Sequence, residues 1–347
     1  MMERFRKAVD KIGSARFVMV LFLLFLVVMV FAKQLDAAYL FSNALLHIGM
    51  SSFFVLSMVV TIITGTGLNF GLPLGLIAGL FAGVLTLEWK MTGWAGVLTA
   101  IALAMVFGAI VGFLYGRILV HVKGSEMVVG NYIGQAFTFL MCIAWMFLPF
   151  TNKKLTLVVT GFGLKEQVPI LEYYAGIIDN FLSIHIGSLV VPLGMFLIFG
   201  FAAFLVWLLF RTRYGIGMSV SGANPKFARS LGINEDNVRV LGSTIASMLA
   251  AVGIIIYSQS YGYYMIYTTP KSMAFPPMAA ILIGGASTKR ASLSNVIIGL
   301  VIYYTIITLA SPVAGALFAG DSISEPLRVV IQNGVVLYSL TKIGEGE

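Results

Sequence analysis

Apolar residues run along this chain in long blocks, separated by short clusters of lysine, arginine, glycine and proline. Ten blocks predict helices over residues 17–32, 44–64, 73–88, 94–117, 126–149, 191–210, 239–258, 273–287, 293–311 and 325–341. Most approach the roughly 20 residues needed to cross the hydrocarbon core of a bilayer. No water is present there to satisfy the backbone, so continuous runs of this kind predict helices. The expected fold is all-α, a polytopic transmembrane bundle of about ten spans forming one domain over residues 1–347.

Composition agrees. Of 347 residues, 59% are hydrophobic and 10% charged, with a mean hydropathy of +0.97; a soluble domain carries about 25% charged residues. The stretch "MMERFRKAVDKIGSAR" before "FVMVLFLLFLVVMVFA" has the form of a signal peptide, down to Val30-Phe31-Ala32 as a cleavage-like end. Because many more apolar blocks follow, an uncleaved first span is expected. The single cysteine, Cys142, lies inside an apolar block, so no disulfide within the chain is possible.

The net charge of +8 does not point to nucleic acid. The basic residues stand at the ends of apolar blocks, as topology signals do, and the partner they imply is membrane lipid. With the N-terminus in the cytoplasm, an even number of spans places Arg16, Arg117, Lys123, Arg211, Arg213, Lys226, Arg229, Arg239, Lys289, Arg290 and Lys342 on that side. Lys33, Lys90, Lys153, Lys154, Lys165 and Lys271 fall on the other. Both termini are then cytoplasmic, residues 150–190 form an extracytoplasmic loop, and 211–238 a cytoplasmic one. Within the former, "LEYYAGIIDNFLSIHIG" has apolar residues at helical spacing and predicts a helix on the outer interface, with Tyr173 and Tyr174.

The cytoplasmic loop contains "SGANPKFARSLGI", residues 221–233. Asn224 suits an N-cap, Pro225 the first helical position and Gly232 the position just past the end. About two turns are predicted, with Phe227, Ala228 and Leu231 on one face and Lys226, Arg229 and Ser230 on the other. Asn234 can cap the next helix, whose first turn holds Glu235 and Asp236, where negative charge suits the helix dipole. By itself the segment reads either as an amphipathic linker on the headgroups or as a stiff docking helix.

The stretch "RYGIGMSVSGANPKFARSLGIN", followed by an apolar run and "AAILIGGAS", resembles the ribose-type permeases of bacterial ABC importers. Their wider family also includes branched-chain amino-acid and nucleoside permeases. The match falls on Arg213, Gly215, Gly222, Asn224, Ala228, Gly232 and Ile233, and the resemblance extends from about residue 40 to 340. It implies that Arg213, Gly215, Asn224, Pro225, Phe227, Ala228, Arg229, Leu231 and Gly232 belong to a coupling helix that inserts into a cleft on a separate ATPase subunit. The chain contains no "GxxxxGK[ST]" phosphate loop, so ATP and Mg²⁺ are expected on that partner and no cofactor on this chain. Further implied partners are an extracytoplasmic solute-binding protein and a second permease, identical or different, in a bacterial inner membrane.

Two segments are candidates for the translocation path. "TGTGLNFGLPLG", residues 64–75, interrupts an apolar stretch and carries Asn69 and Phe70. It reads as a helix break, either a plain turn or the broken helix of a transport site. The family pattern has an aspartate where Asn69 stands, so no role needing an ionised carboxylate carries over. In "SEMVVGNYIGQAFTF", Asn131 and Gln135 stand four apart on one helix face, while Glu126 is expected near the inner surface beside Lys123. The resemblance makes this span path-lining; the alternative is hydrogen bonding between helices. The family's second glycine pair after "IGGAS" is replaced by "TKRAS".

His47, His121 and His185 are scattered, no metal site is expected, and no nucleophile, base and acid set occurs, so the chain is not expected to be an enzyme. Arg328 follows Glu325 by three residues, as in a local ion pair. The expected function is the permease subunit of an ABC importer for a small polar solute, a monosaccharide such as a pentose or hexose first and a nucleoside or related heterocycle second. The alternative of another class, an ion-coupled secondary transporter, would call for a mid-membrane carboxylate or lysine that the sequence lacks.

Overall fold

The computed structural model describes residues 14–156, 163–318 and, of the expected tenth span, only positions 326, 329–331, 333 and 334. Glu325 and Arg328 lie outside the described residues. The protein is mostly helical. Six described helices are long and apolar enough to cross a membrane: α2 (Ala37–Ile63), α4 (Gly93–His121), α5 (Glu126–Phe147), α7 (Leu193–Arg211), α10 (Glu235–Tyr261) and α13, whose apolar part is Leu293–Leu317. Two shorter apolar helices, α1 (Ser14–Ala32) and α3 (Leu72–Glu88), pack with them. Asp36 caps α2 by accepting the Tyr39 amide at 3.0 Å, and Pro73 stands in the first turn of α3, where a missing N–H costs nothing.

α10 is the central post, packed by α2, α3 and α4. Its seam with α4 is made of small residues. Gly108, Gly112 and Gly116 recur every four positions, and a Cβ on Gly112 or Gly116 would come within 2.8 Å of the α10 backbone at Thr244 or Val240. Where lipid is as apolar as leucine, such close backbone approach is what holds helices together.

The expected span 273–287 is not one helix. It contains α12 (Phe275–Ile283), whose nine residues cover only about 13 Å at 1.5 Å per residue. Pro276 and Pro277 begin it, and Gly285, at φ +90°, follows it. A short strand at 263–265, then chain that includes the single turn α11 (Thr269–Ser272), precedes it. Arg16 of α1 donates to the carbonyls of Ile283 and Gly284, placing a cation where the helix dipole is negative.

The loop 150–190 also departs from expectation. In place of an interfacial helix it forms β1 (Gln167–Pro169), the single turn α6 (Ile177–Asn180) and β2 (Ser183–Ile186), which pairs with β3 (Leu189–Pro192) as a hairpin. β1 pairs antiparallel with β4 (Tyr263–Met265). Left-handed backbone at Gly176 (φ +68°) and Leu182 (φ +53°) interrupts any longer helix, so the helical spacing of the apolar residues there is not used. Tyr174 is buried and shares a hydrogen bond of 2.9 Å with Tyr264.

Chain direction defines two ends. Residues 64–71, 122–125, 212–234 and 284–292 lie at one, and 33–36, 89–92, 148–156, 163–192 and 262–273 at the other. Arg16, Arg117, Lys123, Arg211, Arg213, Lys226, Arg229, Arg239, Lys289 and Arg290 all stand toward the first end, as the charge pattern expects.

Candidate functional site

At the first end the chain turns sharply from α7 into α8 (Arg213–Ala223). Thr212 caps α8 by accepting the Gly215 amide at 3.3 Å. A Cβ on Gly215 would fall 2.1 Å from the Leu209 carbonyl, so only glycine fits this corner. The short helix α9 (Pro225–Ser230) follows. Asn224 Oδ1 accepts the Phe227 amide at 3.1 Å, and Pro225 opens the helix. Gly232 takes φ +76°, while the Ile233 amide donates to Ala228 O and the Gly232 amide to Arg229 O, both at 3.0 Å. That pair of bonds is the Schellman stop, and it satisfies carbonyls that a helix end leaves open.

The expected apolar face divides. Ala228 is fully buried, whereas Phe227 and Leu231 are 53% and 58% exposed. Residues 227 and 231 lie one turn apart on the outer side, and the small Ala228 lets the helix sit close against the protein. The exposed ridge is therefore Phe227 and Leu231, with Tyr214 and Ile216 of α8 also exposed.

Arg229 does not stand free on the opposite face. Its Nε and Nη2 donate to Glu235 Oε2 at 3.0 and 2.6 Å. This neighbouring carboxylate holds the guanidinium's pKa above its already high ordinary value. Glu235 is 5% exposed and gathers two more cations: Arg239 Nε lies 3.2 Å from Oε1, off the direction of a hydrogen bond, and Lys123 Nζ 3.7 Å from Oε2. Lys123 also pairs with Asp236 at 2.5 Å, and Arg239 Nη1 donates to Glu126 Oε1. The second oxygen of Glu126 accepts the Gly124 amide at 2.8 Å. Glu126 opens α5, and its partner is Arg239 of α10 in place of the expected neighbour Lys123. The chain of charges runs from α9 through the start of α10 to the start of α5.

The path candidates lie on two neighbouring segments. Asn69 is buried in the break between α2 and α3, and Phe70 is half-buried. The loop backbone touches α5, since a Cβ on Gly134 would lie 3.1 Å from Phe70 O. Asn131 and Gln135, both half-buried, flank Gly134, which makes this contact. Phe70 also meets Phe275 of α12 edge to face, 6.2 Å between ring centres.

Two backbone segments join these regions. A Cβ on Gly222 of α8 would come within 2.1 Å of Ile63 O and 2.9 Å of Gly65 N, at the start of the break that carries Asn69. The residue two positions before the α9 cap thus lies directly against the broken loop. Nothing in the local sequence pattern announced that contact, nor the role of Glu235 and Arg239.

Residues 40–340 match a family model described as branched-chain amino acid transport system / permease component. The chain belongs to this permease family. Among relatives, it is 34% identical over 99 residues to the nucleoside ABC transporter permease protein NupC of Lactococcus lactis subsp. cremoris (strain MG1363), a stretch covering 28% of this chain and 31% of that one. It is 30% identical over 100 residues to the autoinducer 2 import system permease protein LsrC of Escherichia coli (strain SMS-3-5 / SECEC), 29% of this chain and 28% of that one. It is 24% identical over 193 residues to NupB of the same Lactococcus strain, 54% and 50% of the two chains. The chain thus spans between about a quarter and a half of the length of these relatives. No solved structure matches significantly. Family and apolar helices together make this permease a multi-pass protein of the inner membrane.

Proposed function

We propose that this permease is the membrane subunit of an ABC importer, moved by a separate ATPase that docks on Phe227 of α9 and Leu231 just past its end. One observation supports this reading above the rest: Gly222 abuts the backbone of the broken loop, so a displacement of α8 and α9 must be felt by the segment that carries Asn69 and Phe70. The capped, Schellman-stopped helix and its Arg229–Glu235 clamp suit a stiff lever. ATP and Mg²⁺ are bound by the ATPase, and an extracytoplasmic binding protein delivers solute at the opposite end. A second permease, identical or related, completes the path, and both termini face the cytoplasm. The solute is small and polar, a monosaccharide by the ribose-type resemblance. A nucleoside is the second reading, favoured by the similarity to NupC.

The test is copurification. The ATPase encoded with this permease should co-elute with it, and Phe227→Glu with Leu231→Glu should release the ATPase while leaving the permease monodisperse. An ATPase retained by that double variant, with normal transport, would overturn the reading. Solute accumulation by vesicles holding this chain alone would favour an ion-coupled carrier instead.

A further inference from the structure

The half helix α12 leaves the part of the bundle beyond it unfilled. A cavity of ≈ 330 Å³ lies there, lined among others by His47 and Ser51 of α2, Tyr257 and Tyr261 of α10, and Tyr303 and Tyr304 of α13. Pro276 and Pro277, at the start of α12, line it as well, and Ser272 and Met273 line it from the irregular chain before α12. Tyr257 and Tyr261 lie in the last turns of α10, so the cavity is at the end opposite α9. Tyr261 and Ser272 are exposed at its mouth. Of the chain between α10 and α12, Met265, Ser272 and Met273 border the cavity.

The lining has a definite chemistry. No Asp, Glu, Lys or Arg borders the cavity among the described residues, and His47 is the one imidazole on its wall, so the ammonium group of a zwitterion would meet no carboxylate there. Four tyrosines supply ring faces: Tyr257 and Tyr261 stack with centres 5.0 Å apart, Phe54 lies 5.9 Å from Tyr257, and Tyr303 meets Tyr304 edge to face at 5.0 Å. The hydroxyls of Tyr257, Tyr261 and Tyr304, with Ser51, can donate or accept, and Ser272, which donates to Thr268 O at 3.2 Å, can accept, which matches a solute whose own hydroxyls do both. Ser51 already hydrogen-bonds Tyr304, which fixes one side of the cavity. At about 30 Å³ per water the space holds about eleven waters, room for one five- or six-membered ring with its hydroxyls.

We infer that this cavity is a solute site within a single chain, and that it takes an uncharged, hydroxyl-bearing ring stacked on the tyrosines. The inference rests on the importer reading and adds a holding site distinct from Asn69, Phe70, Asn131 and Gln135. A pentose and the ribose of a nucleoside share the chemistry, whereas a zwitterionic branched-chain amino acid does not.

The experiment uses the full chain with its ATPase in lipid nanodiscs, Cys142→Ala as background and Ser272→Cys as reporter. Labelling of the introduced thiol by a water-soluble maleimide is followed with ribose, uridine or leucine present. Ribose or uridine should slow labelling about tenfold, and which of them does so tells a free sugar from a nucleoside; leucine should have no effect. Tyr257→Leu should abolish the protection, as should Tyr261→Leu at the exposed mouth, which keeps the test open should the buried variant misfold. Unchanged labelling with both ring solutes, equal protection by leucine, or full protection in the tyrosine variants overturns the site. ATPase copurification in the same samples shows separately whether the importer reading stands.

Discussion

Arg229 and Glu235 are joined by two hydrogen bonds to a single carboxylate oxygen, from Nε at 3.0 Å and from Nη2 at 2.6 Å. The arginine belongs to α9 and the glutamate opens α10, so the pair fastens the exposed helix to the central post across the turn at Gly232. Glu235 is buried among cations while Arg229 remains open to solvent. The bond therefore orients the helix more than it stabilises the fold.

Arg229→Glu is accordingly expected to leave the thermal midpoint of the permease unchanged and to uncouple transport, because it sets a second carboxylate beside Glu235. ATP hydrolysis by the assembled complex should continue without solute uptake. Normal uptake in reconstituted vesicles would count against α9 as the lever.

The pair beneath it should behave differently. Arg239 and Glu126 are both largely buried, and removing one partner strands the other. Arg239→Met should cost about 3 kcal/mol, the low end for breaking a buried ion pair, since the site lies at the end of the bundle. Adding Glu126→Gln should recover part of that loss. Chemical denaturation of the purified variants gives both numbers, and strictly additive effects would show the pair to be uncoupled.

Gly222→Ala tests the contact with the broken loop. Its Cβ would stand 2.1 Å from the Ile63 carbonyl, and backbone cannot step aside as a side-chain tip can. A loss of about 2 kcal/mol is expected from overpacking, together with impaired coupling. Gly200→Ala on α7, where no atom lies within 4 Å, is the control and should not destabilise, since alanine favours a helix interior over glycine by up to about 1 kcal/mol. Equal behaviour of the two variants in thermal unfolding and uptake would show that the contact transmits nothing.

A pH effect is expected at the other end. Asp179 of α6 accepts Ser260 Oγ and Gln259 Nε2, each at 2.7 Å, yet burial outweighs these bonds and raises its pKa above the ordinary carboxylate value. The folded state thus favours the protonated acid. Its contribution is complete below the unfolded pKa and is lost as pH rises through the folded one. Asp179→Asn should remove the loss of stability that this group contributes as pH rises above its unfolded pKa; an unchanged decline over that range would assign it to another group.

Much of this was legible in the sequence because it is local. Asn224, Pro225 and Gly232 marked the start and stop of α9, and the structure uses each as capping chemistry requires. The proline and glycine interruption at 64–75 marked the break that holds Asn69. The face of α9 was misread because helical spacing groups Phe227, Ala228 and Leu231, and only packing decides which of them turns inward. The apolar spacing in 171–187 suggested a helix, but the hairpin of β2 with β3 and left-handed backbone at Gly176 and Leu182 won.

The sequence by itself determined that this chain enters the membrane as apolar helices, which of its loops carry the excess of positive charge, and where a short capped helix interrupts them. Those features follow from transfer energies and from backbone chemistry within a few residues. Tertiary structure alone decided that Gly222 lies on Ile63, that Glu126 finds Arg239 across 113 positions, and that four tyrosines from two helices enclose one cavity. Each of these depends on how helices distant in sequence come to lie side by side. The apolar pattern of one helix states that it must be covered, and leaves open by which neighbour.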